Sequence, residues 1–234
     1  MTYQIWDGSW KGASPNGLQH TRAREIVRST GTIVRGKFPS RKTGRMIHHE
    51  GSLERDAIYL FETMPQIESY TEQHETIIYP DGNRVRRYTP DFQLKLVSGK
   101  KILVEVKPQV HADKPETRHK LGQIATHLKS VRKEFVVLTD TYIRVEPRLS
   151  NLKWIYHQAP RRMMTELAAD RAVNRVGHLF PMSLRDAIEL LEPCGQNPFG
   201  LIIQGLLQCD LTETLSLESP VHLRKEGRHG QLFI

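Results

Sequence analysis

Residues 87–108, RYTPDFQLKLVSGKKILVEVKP, place charged side chains where a buried strand is expected. The second half predicts an apolar strand over residues 101–107, which follows a turn at Ser98-Gly99. Successive side chains of a strand point to opposite faces, so Glu105 and Lys107 share one face. Because a carboxylate inside a sheet is costly unless its charge is compensated, this strand predicts a functional site.

Asp91 is the expected neighbour of Glu105. It lies on the preceding strand of the same hairpin, and antiparallel pairing brings the two carboxylates side by side. Adjacent acids repel each other, and a divalent cation relieves both the repulsion and the cost of burial. We therefore predict a Mg²⁺ site, in which Mn²⁺ can substitute, formed by Asp91, Glu105 and the backbone carbonyl of Val106. Lys107 is expected beside the metal, where an ammonium holds or helps to deprotonate an attacking water.

A simpler interpretation of the same residues stays open at this point. Asp91 can be a turn residue, and Glu105 with Lys107 an exposed ion pair on an edge strand. Charge pairs on strands usually lie on solvated faces, where they contribute little. The two interpretations differ in whether the strand lies inside the sheet or at its edge.

The segments around the strand predict a compact α/β domain over residues 51–147. Residues 52–65, SLERDAIYLFETMP, have helical spacing, with Ser52 as N-cap and Pro65 as a stop. Two further strands flank Asp81-Gly82, a dipeptide typical of tight hairpins. A helix over 116–133 and a strand over 134–140 follow. The order of elements predicts a mixed sheet flanked by helices.

The two ends of the chain have different compositions. Residues 1–50 are rich in Arg, Lys, Gly and Ser, and we expect them to form a basic arm with little core of its own. Residues 148–234 are expected to form a smaller winged-helix-like domain. It would contain a helix over 183–192 capped by Ser183, an apolar helix over 197–209, and a β-wing over 212–227. The net charge of +8 favours a polyanionic partner.

The charged strand is part of a wider resemblance. "PD" at 90–91, followed by "EVK" at 105–107, matches the PD-(D/E)xK pattern of restriction-endonuclease-like nucleases. Residues 52–62, 68–92 and 104–108 together resemble the catalytic domain of TnsA, the endonuclease subunit of heteromeric cut-and-paste transposons. His74 departs from that resemblance, since an apolar residue or proline is expected there. The resemblance implies a catalytic set of Glu54, Asp91, Glu105 and Lys107, with Glu54 as an additional metal ligand.

The resemblance also implies a function and partners. TnsA-like proteins cut the 5′ strands of double-stranded DNA at transposon ends, while a DDE-class transposase cuts the 3′ strands and an AAA+ ATPase regulates the assembly. The expected setting is the bacterial cytoplasm, at the nucleoid when active, which agrees with only two cysteines and no apolar run of roughly 20 residues. No membrane partner is expected.

Basic residues outside the motif are candidates for DNA contacts. His111 and Lys114 follow the charged strand and are predicted to line the DNA groove. Arg161 and Arg162 are predicted to contact DNA from the C-terminal domain, with Arg171 and Arg175 as further candidates. The apolar helix over 197–209 contains no Lys or Arg, so contacts with protein are the alternative assignment for this domain.

Two alternatives to the transposon enzyme remain. One is a stand-alone restriction or repair nuclease built on the same core, which would cut DNA without a partner. The other is a non-catalytic DNA-binding assembly factor whose nuclease-like fold has lost its activity. The intact set of three acids and a lysine argues against the second alternative.

Overall fold

A computed structural model describes residues 35–224 of the chain. The chain divides into two compact units. Within the described residues, the first consists of residues 35–58 and 68–143, and the second of residues 59–67 and 144–224. The division at 143/144 lies close to the boundary predicted at 147/148. Each unit is described separately below.

The first unit is built on a mixed four-stranded sheet. Its elements, some of which run across the division, are β1 (Arg35–Pro39), β2 (Met46–Glu50), α1 (Ser52–Thr63), β3 (Ile67–Glu72), β4 (Ile77–Asp81), β5 (Arg84–Tyr88), β6 (Phe92–Leu96), β7 (Lys101–Val106), α2 (Gln109–Ala112), α3 (Pro115–Ser130), β8 (Glu134–Leu138) and α4 (Asp140–Ile143). The sheet has the order β3-β6-β7-β8. Strand β7 pairs antiparallel with β6 and parallel with β8. The predicted mixed α/β architecture is confirmed.

The position of β7 decides between the two interpretations of its charges. It lies between β6 and β8, and both of its faces are buried: Leu103 and Glu105 on one, Val104 and Val106 on the other. Glu105 is only 5% exposed. The edge-strand interpretation is therefore wrong, and Glu105 is a buried carboxylate that needs compensation.

The prediction of a basic arm over residues 1–50 is wrong for its last third. Residues 35–50 fold into the antiparallel hairpin β1–β2, in which Phe38 pairs with Ile47 and both are buried. Residues 1–34 lie outside the described residues. The hairpin escaped prediction because several of its buried side chains are polar, among them His48 and His49.

The positive charge of Arg45, in the turn of this hairpin, is compensated by a buried ion pair. The Nη1 and Nη2 atoms of Arg45 donate to the two carboxylate oxygens of Glu72 at 2.9 and 2.5 Å. The side chains of the two residues are 4% and 1% exposed. The N–H of His48 lies 3.4 Å from Oε1 of the same carboxylate. Arg45 thereby joins the β1–β2 hairpin to β3, a strand that sequence reasoning did not predict.

The second unit combines helices with a small antiparallel sheet. Its further elements are α5 (Arg148–Gln158), α6 (Glu166–Val176), β9 (Met182–Ser183), α7 (Leu184–Leu191), α8 (Pro198–Ile203), β10 (Leu207–Cys209) and β11 (Pro220–Leu223). The strands have the order β10-β11-β9. Buried residues of α6, α7, α8, β10 and β11 form one apolar cluster. Within the part of the chain that the structure describes, no helix is long and apolar enough to cross a membrane.

The local predictions for this unit are confirmed in part. The Ser183 hydroxyl accepts the N–H of Asp186 at 3.1 Å and donates to its carboxylate at 2.7 Å, which is the predicted cap of α7. The helix predicted over 197–209 is shorter than expected. It ends at Ile203 because Gly205 takes a φ of 76°, and the apolar residues beyond it form β10.

The Arg45–Glu72 pair makes a testable contribution to stability. Replacing Arg45 by alanine leaves the Glu72 carboxylate buried without its guanidinium, and we expect the free energy of unfolding to fall by about 3–5 kcal/mol. Chemical denaturation of the purified protein measures this change.

The matched control is Lys95→Ala, which removes the exposed pair between Lys95 and Glu68 in the same unit. We expect that change to cost less than about 1 kcal/mol. Equal destabilisation by both substitutions would contradict a special contribution from the buried pair.

Candidate active site

The register of the β6–β7 hairpin brings Asp91 to Glu105. Phe92 pairs with Val104 and Leu94 with Ile102, so Asp91, which immediately precedes β6, reaches the end of β7 where Glu105 and Val106 lie. The Asp91 Oδ2 atom accepts the backbone N–H of Val106 at 2.7 Å. The predicted juxtaposition of Asp91 and Glu105 is therefore present in the structure.

Glu105 is held by a donor at each carboxylate oxygen. The hydroxyl of Tyr88 donates to Oε2 at 2.6 Å, and the Lys107 ammonium lies 2.8 Å from Oε1. Lys107 extends from the same face of β7, as strand alternation predicts. Its backbone N–H donates to the carbonyl of Leu138 on β8 at 3.0 Å, which fixes the main chain at this position. The orientation of the Glu105 carboxylate is thus set by two neighbours and a rigid sheet.

Glu54 reaches the same place from helix α1. It lies in the first turn of the helix, and its Oε2 atom accepts the backbone N–H of Glu50 at 2.7 Å. This bond ties the helix start to the end of β2. The charge of Glu54 acts on Asp91, so its position in the first turn contributes to the electrostatics of the site.

The site carries more negative than positive charge, and its pKa values reflect this. Burial raises the pKa of Asp91 well above its ordinary value, and the charges of Glu105 and Glu54 raise it further. The N–H of Val106 and the charge of Lys107 oppose this shift without cancelling it. Burial by itself lowers the pKa of Lys107, but Glu105 and the other two acids raise it above the usual value overall. Asp91 therefore carries the charge that the site compensates least.

Burial also raises the pKa of Tyr88 strongly, and the adjacent charge of Glu105 adds to the effect. The phenol consequently keeps its proton and serves as a donor to Glu105. The Tyr88 ring lies edge-on to Phe135 with centroids 6.0 Å apart, and the Lys120 ammonium lies 5.4 Å from its centroid. These contacts hold the phenol in place.

The three acids, Lys107 and Tyr88 line one cavity. Its volume is about 450 Å³, and it is lined by Glu50, Glu54, Arg87, Tyr88, Thr89, Asp91, Glu105, Val106, Lys107 and Lys120. A cavity of this size and polarity suits a phosphate group with its hydration shell better than an apolar ligand.

The cavity has the donor chemistry of a Mg²⁺ site, although its ligands are not gathered into a finished coordination shell. Within residues 35–224, no three His, Cys, Asp or Glu side chains converge closely enough to hold a metal by themselves. The available donors are nevertheless carboxylate oxygens, which Mg²⁺ prefers, and the raised pKa of Asp91 indicates negative charge that a cation would compensate. Mg²⁺ also keeps several waters in most protein sites, so two or three carboxylates suffice.

The predicted site residues fall into two groups. Glu54, Asp91, Glu105 and Lys107 line the cavity together. Val106 lines it as well and meets Asp91 through its N–H, while the role predicted for its carbonyl stays a prediction. His111 on α2 and Lys114 at the start of α3 are exposed and do not line the cavity. Arg161 and Arg162 are exposed residues of the second unit. Their predicted contacts with DNA stay predictions.

Sequence reasoning missed five residues of the cavity: Glu50, Arg87, Tyr88, Thr89 and Lys120. Arg87 and Tyr88 end strand β5, which is outside the four-stranded sheet, and Lys120 belongs to α3. A signal was available for Tyr88, because it stands three residues before Asp91 and the chain between them is short. In the β4–β5 hairpin, Tyr88 lies on the same face as Tyr79, and both side chains are buried.

Comparison with known proteins agrees with this geometry. Residues 64–140 match the family described as TnsA-like endonuclease N terminal. The match includes Asp91, Glu105 and Lys107, and Glu54 lies before it. No curated protein matches the sequence. Residues 64–140, which contain Asp91, Glu105 and Lys107, are therefore similar to the TnsA-like endonuclease N-terminal domain.

Proposed function

We propose that the protein is a Mg²⁺-dependent DNA endonuclease that hydrolyses the 5′ strands at transposon ends together with a DDE-class transposase. The observation that carries this proposal is the meeting of Asp91, Glu105 and Lys107 in one polar cavity of a TnsA-like domain. A TnsA-like domain in general implies a DNA substrate and a transposase partner. An AAA+ regulatory ATPase belongs to the same proposal.

The side chains of the cavity have separable roles in this reaction. Asp91 and Glu105 would hold the cation, with Glu54 as an additional carboxylate, and the bound cation would supply an activated water and stabilise charge on the phosphate. Lys107 already donates to Glu105, and its other N–H groups are available to a water or a phosphate oxygen. Its positive charge offsets the charge that develops on phosphorus during attack.

The second unit is proposed to be winged-helix-like. Its element order α6-β9-α7-α8-β10-β11, with a small antiparallel sheet of order β10-β11-β9, supports this assignment. Helix α8 lacks Lys and Arg, and Phe199, Leu201 and Ile203 on it are buried. We therefore assign the unit to contacts with the assembly, or to DNA contacts through exposed arginines such as Arg161 and Arg162.

Removing a single cavity side chain tests the catalytic assignment. We expect Asp91→Ala, Glu105→Ala and Lys107→Ala each to lower 5′-strand cleavage by at least about 100-fold, because each loses a metal ligand or a compensating charge. The measurement is strand-specific cleavage of a duplex carrying a transposon end, with and without the transposase.

The matched control is Asp113→Ala, an exposed acid of the same unit that does not line the cavity. We expect it to cleave like the wild type. Full cleavage by any of the three cavity variants would remove that residue from the chemistry, and efficient cleavage without any transposase would favour a stand-alone nuclease.

The uncompensated charge of Asp91 predicts an unusual response to Asp91→Asn. Since the folded state raises the Asp91 pKa, stability present below the ordinary carboxyl pKa is lost as the pH rises through the higher folded value. At neutral pH the amide removes this repulsion and still offers an oxygen to the Val106 N–H. We therefore expect the metal-free variant to melt higher than the wild type, by about 2–4 °C for each kcal/mol gained.

Thermal melts with added Mg²⁺ or Mn²⁺ complete this test. The cation is expected to raise the melting temperature of the wild type and to leave that of Asp91→Asn nearly unchanged, because the variant has lost a charged ligand. Equal stabilisation of the two proteins by the cation would contradict metal binding at Asp91.

Tyr88→Phe tests whether the phenol positions Glu105. The substitution removes the donor to Oε2 but keeps the ring, and we expect cleavage to fall about 10–100-fold together with a higher Mg²⁺ requirement. Tyr79→Phe is the control, since Tyr79 is a buried tyrosine of the same apolar cluster. If both variants need the same Mg²⁺ concentration as the wild type, Tyr88 has only a structural role.

A further inference from the structure

The β4–β5 hairpin has two unlike faces. The inner face carries Ile77, Tyr79 and Tyr88, which are buried in one apolar cluster with residues of α3 such as Leu121 and Ile124. Near the turn, Asp81 on this face lies 3.2 Å from the ring of His119 on α3. The hairpin is therefore anchored on α3 along its length and does not depend on a further partner for its position.

The outer face of the hairpin is apolar and exposed. Ile78 pairs with Arg87 and Pro80 with Val85, so these four side chains lie on the same face. Ile78 is 58% exposed and Val85 is 76% exposed. Large apolar side chains clustered on a well-anchored hairpin are typical of a contact surface. We call Ile78, Pro80, Val85 and Arg87 the outer face below.

The outer face is continuous with the catalytic cavity. Arg87 belongs to both, and the cavity wall continues from it to Tyr88 and Thr89. Arg86 is paired with Asp81 on the inner face, whereas neither Arg84 nor Arg87 makes an ion pair with an acid of residues 35–224. The face thus begins at the cavity with Arg87, whereas Arg84 pairs across the strands with Asp81 next to the turn and lies on the inner face. The charge of the outer face is complementary to phosphate.

We propose that the outer face docks into a groove of the duplex DNA beside the phosphate that is cut. This inference rests on the proposed function, because it takes the cavity to be the place of cleavage. The major groove of B-DNA admits a two-stranded β-ribbon, and apolar side chains contact thymine methyl groups there. Arg87 would contact the backbone near the cut, and Val85 would lie deeper in the groove. Five residues per strand span about 17 Å, or roughly five base pairs.

Duplex DNA fits the outer face better than a protein partner does. Because Arg87 lines the cavity, a phosphate bound there would lie beside this arginine and bring the adjoining duplex next to the outer face. On the outer face, Arg87 makes no ion pair with an acid of residues 35–224, and its place beside an apolar stripe suits a polyanion that also offers apolar groups in its groove. A transposase surface is the alternative occupant, and the experiment below separates the two.

The test compares Val85→Glu with Val131→Glu, both in the full-length protein. Val131 is 50% exposed, belongs to the same unit and lies at the C-cap of α3, outside the outer face, so it serves as the matched control. The probe is a fluorescein-labelled random-sequence duplex in Ca²⁺ buffer, measured by anisotropy over a series of salt concentrations. We expect Val85→Glu to weaken binding at least about tenfold, because the new carboxylate faces phosphates. Val131→Glu is expected to bind like the wild type.

Arg87→Ala provides a second variant that adds no repulsion. We expect it to weaken binding and to reduce the slope of affinity against salt concentration by about one counterion, as the loss of one phosphate contact predicts. Thermal melting of each variant establishes that the fold is retained. A folded Val85→Glu protein that binds DNA like the wild type overturns the inference.

The outcomes also separate this inference from the proposed function. If Val85→Glu binds the duplex normally but loses only transposase-dependent cleavage, the outer face binds protein and the DNA inference is wrong, while the nuclease stands. If the wild type never cleaves DNA but Val85→Glu and Arg87→Ala still lose duplex binding, the outer face holds DNA and the nuclease proposal is wrong.

Discussion

A carboxylate buried on the central strand of the sheet is the constraint around which the first unit is organised. Glu105 cannot remain charged there without donors, and Tyr88 and Lys107 supply one to each oxygen. Tyr88 comes from the β4–β5 hairpin and Lys107 directly follows β7, so two separate segments converge on the same group. The pairing of β7 with β6 and β8 fixes the strand on both sides. The site is consequently built on rigid elements instead of a mobile loop.

The negative charge of the cavity is not fully compensated by its positive charge. Glu105 has a donor at each oxygen, whereas burial and the charges of Glu105 and Glu54 act against ionised Asp91 more strongly than the Val106 N–H and the charge of Lys107 favour it. A protein selected for stability alone would replace such a carboxylate. Its retention is understandable if the missing positive charge comes with the cation and the substrate, since functional sites commonly give up stability in this way.

Features that depend on neighbours in sequence were predictable, and features that depend on distant partners were not. The β6–β7 hairpin, the helix and strand that follow it and the Ser183 cap all arise from local turns and periodicity. The β1–β2 hairpin was missed because Arg45 looks like a solvated charge until Glu72, on a strand 27 residues away, is known to lie beside it. Tyr88 was missed because its partner Glu105 lies 17 residues away, although its closeness to Asp91 in sequence was a usable signal. Conversely, His111 and Lys114 follow the motif closely in sequence, but α2 carries them away from the cavity.

The bidentate pair between Arg45 and Glu72 restricts how the protein can change over evolutionary time. Loss of either residue leaves the charge of the other buried and unpaired, so a single replacement destabilises the fold. Replacement of both residues by apolar side chains avoids this cost. We expect the two positions to co-vary among related proteins. Their co-variation would identify the β1–β2 hairpin in sequences that are too divergent to align by the motif alone.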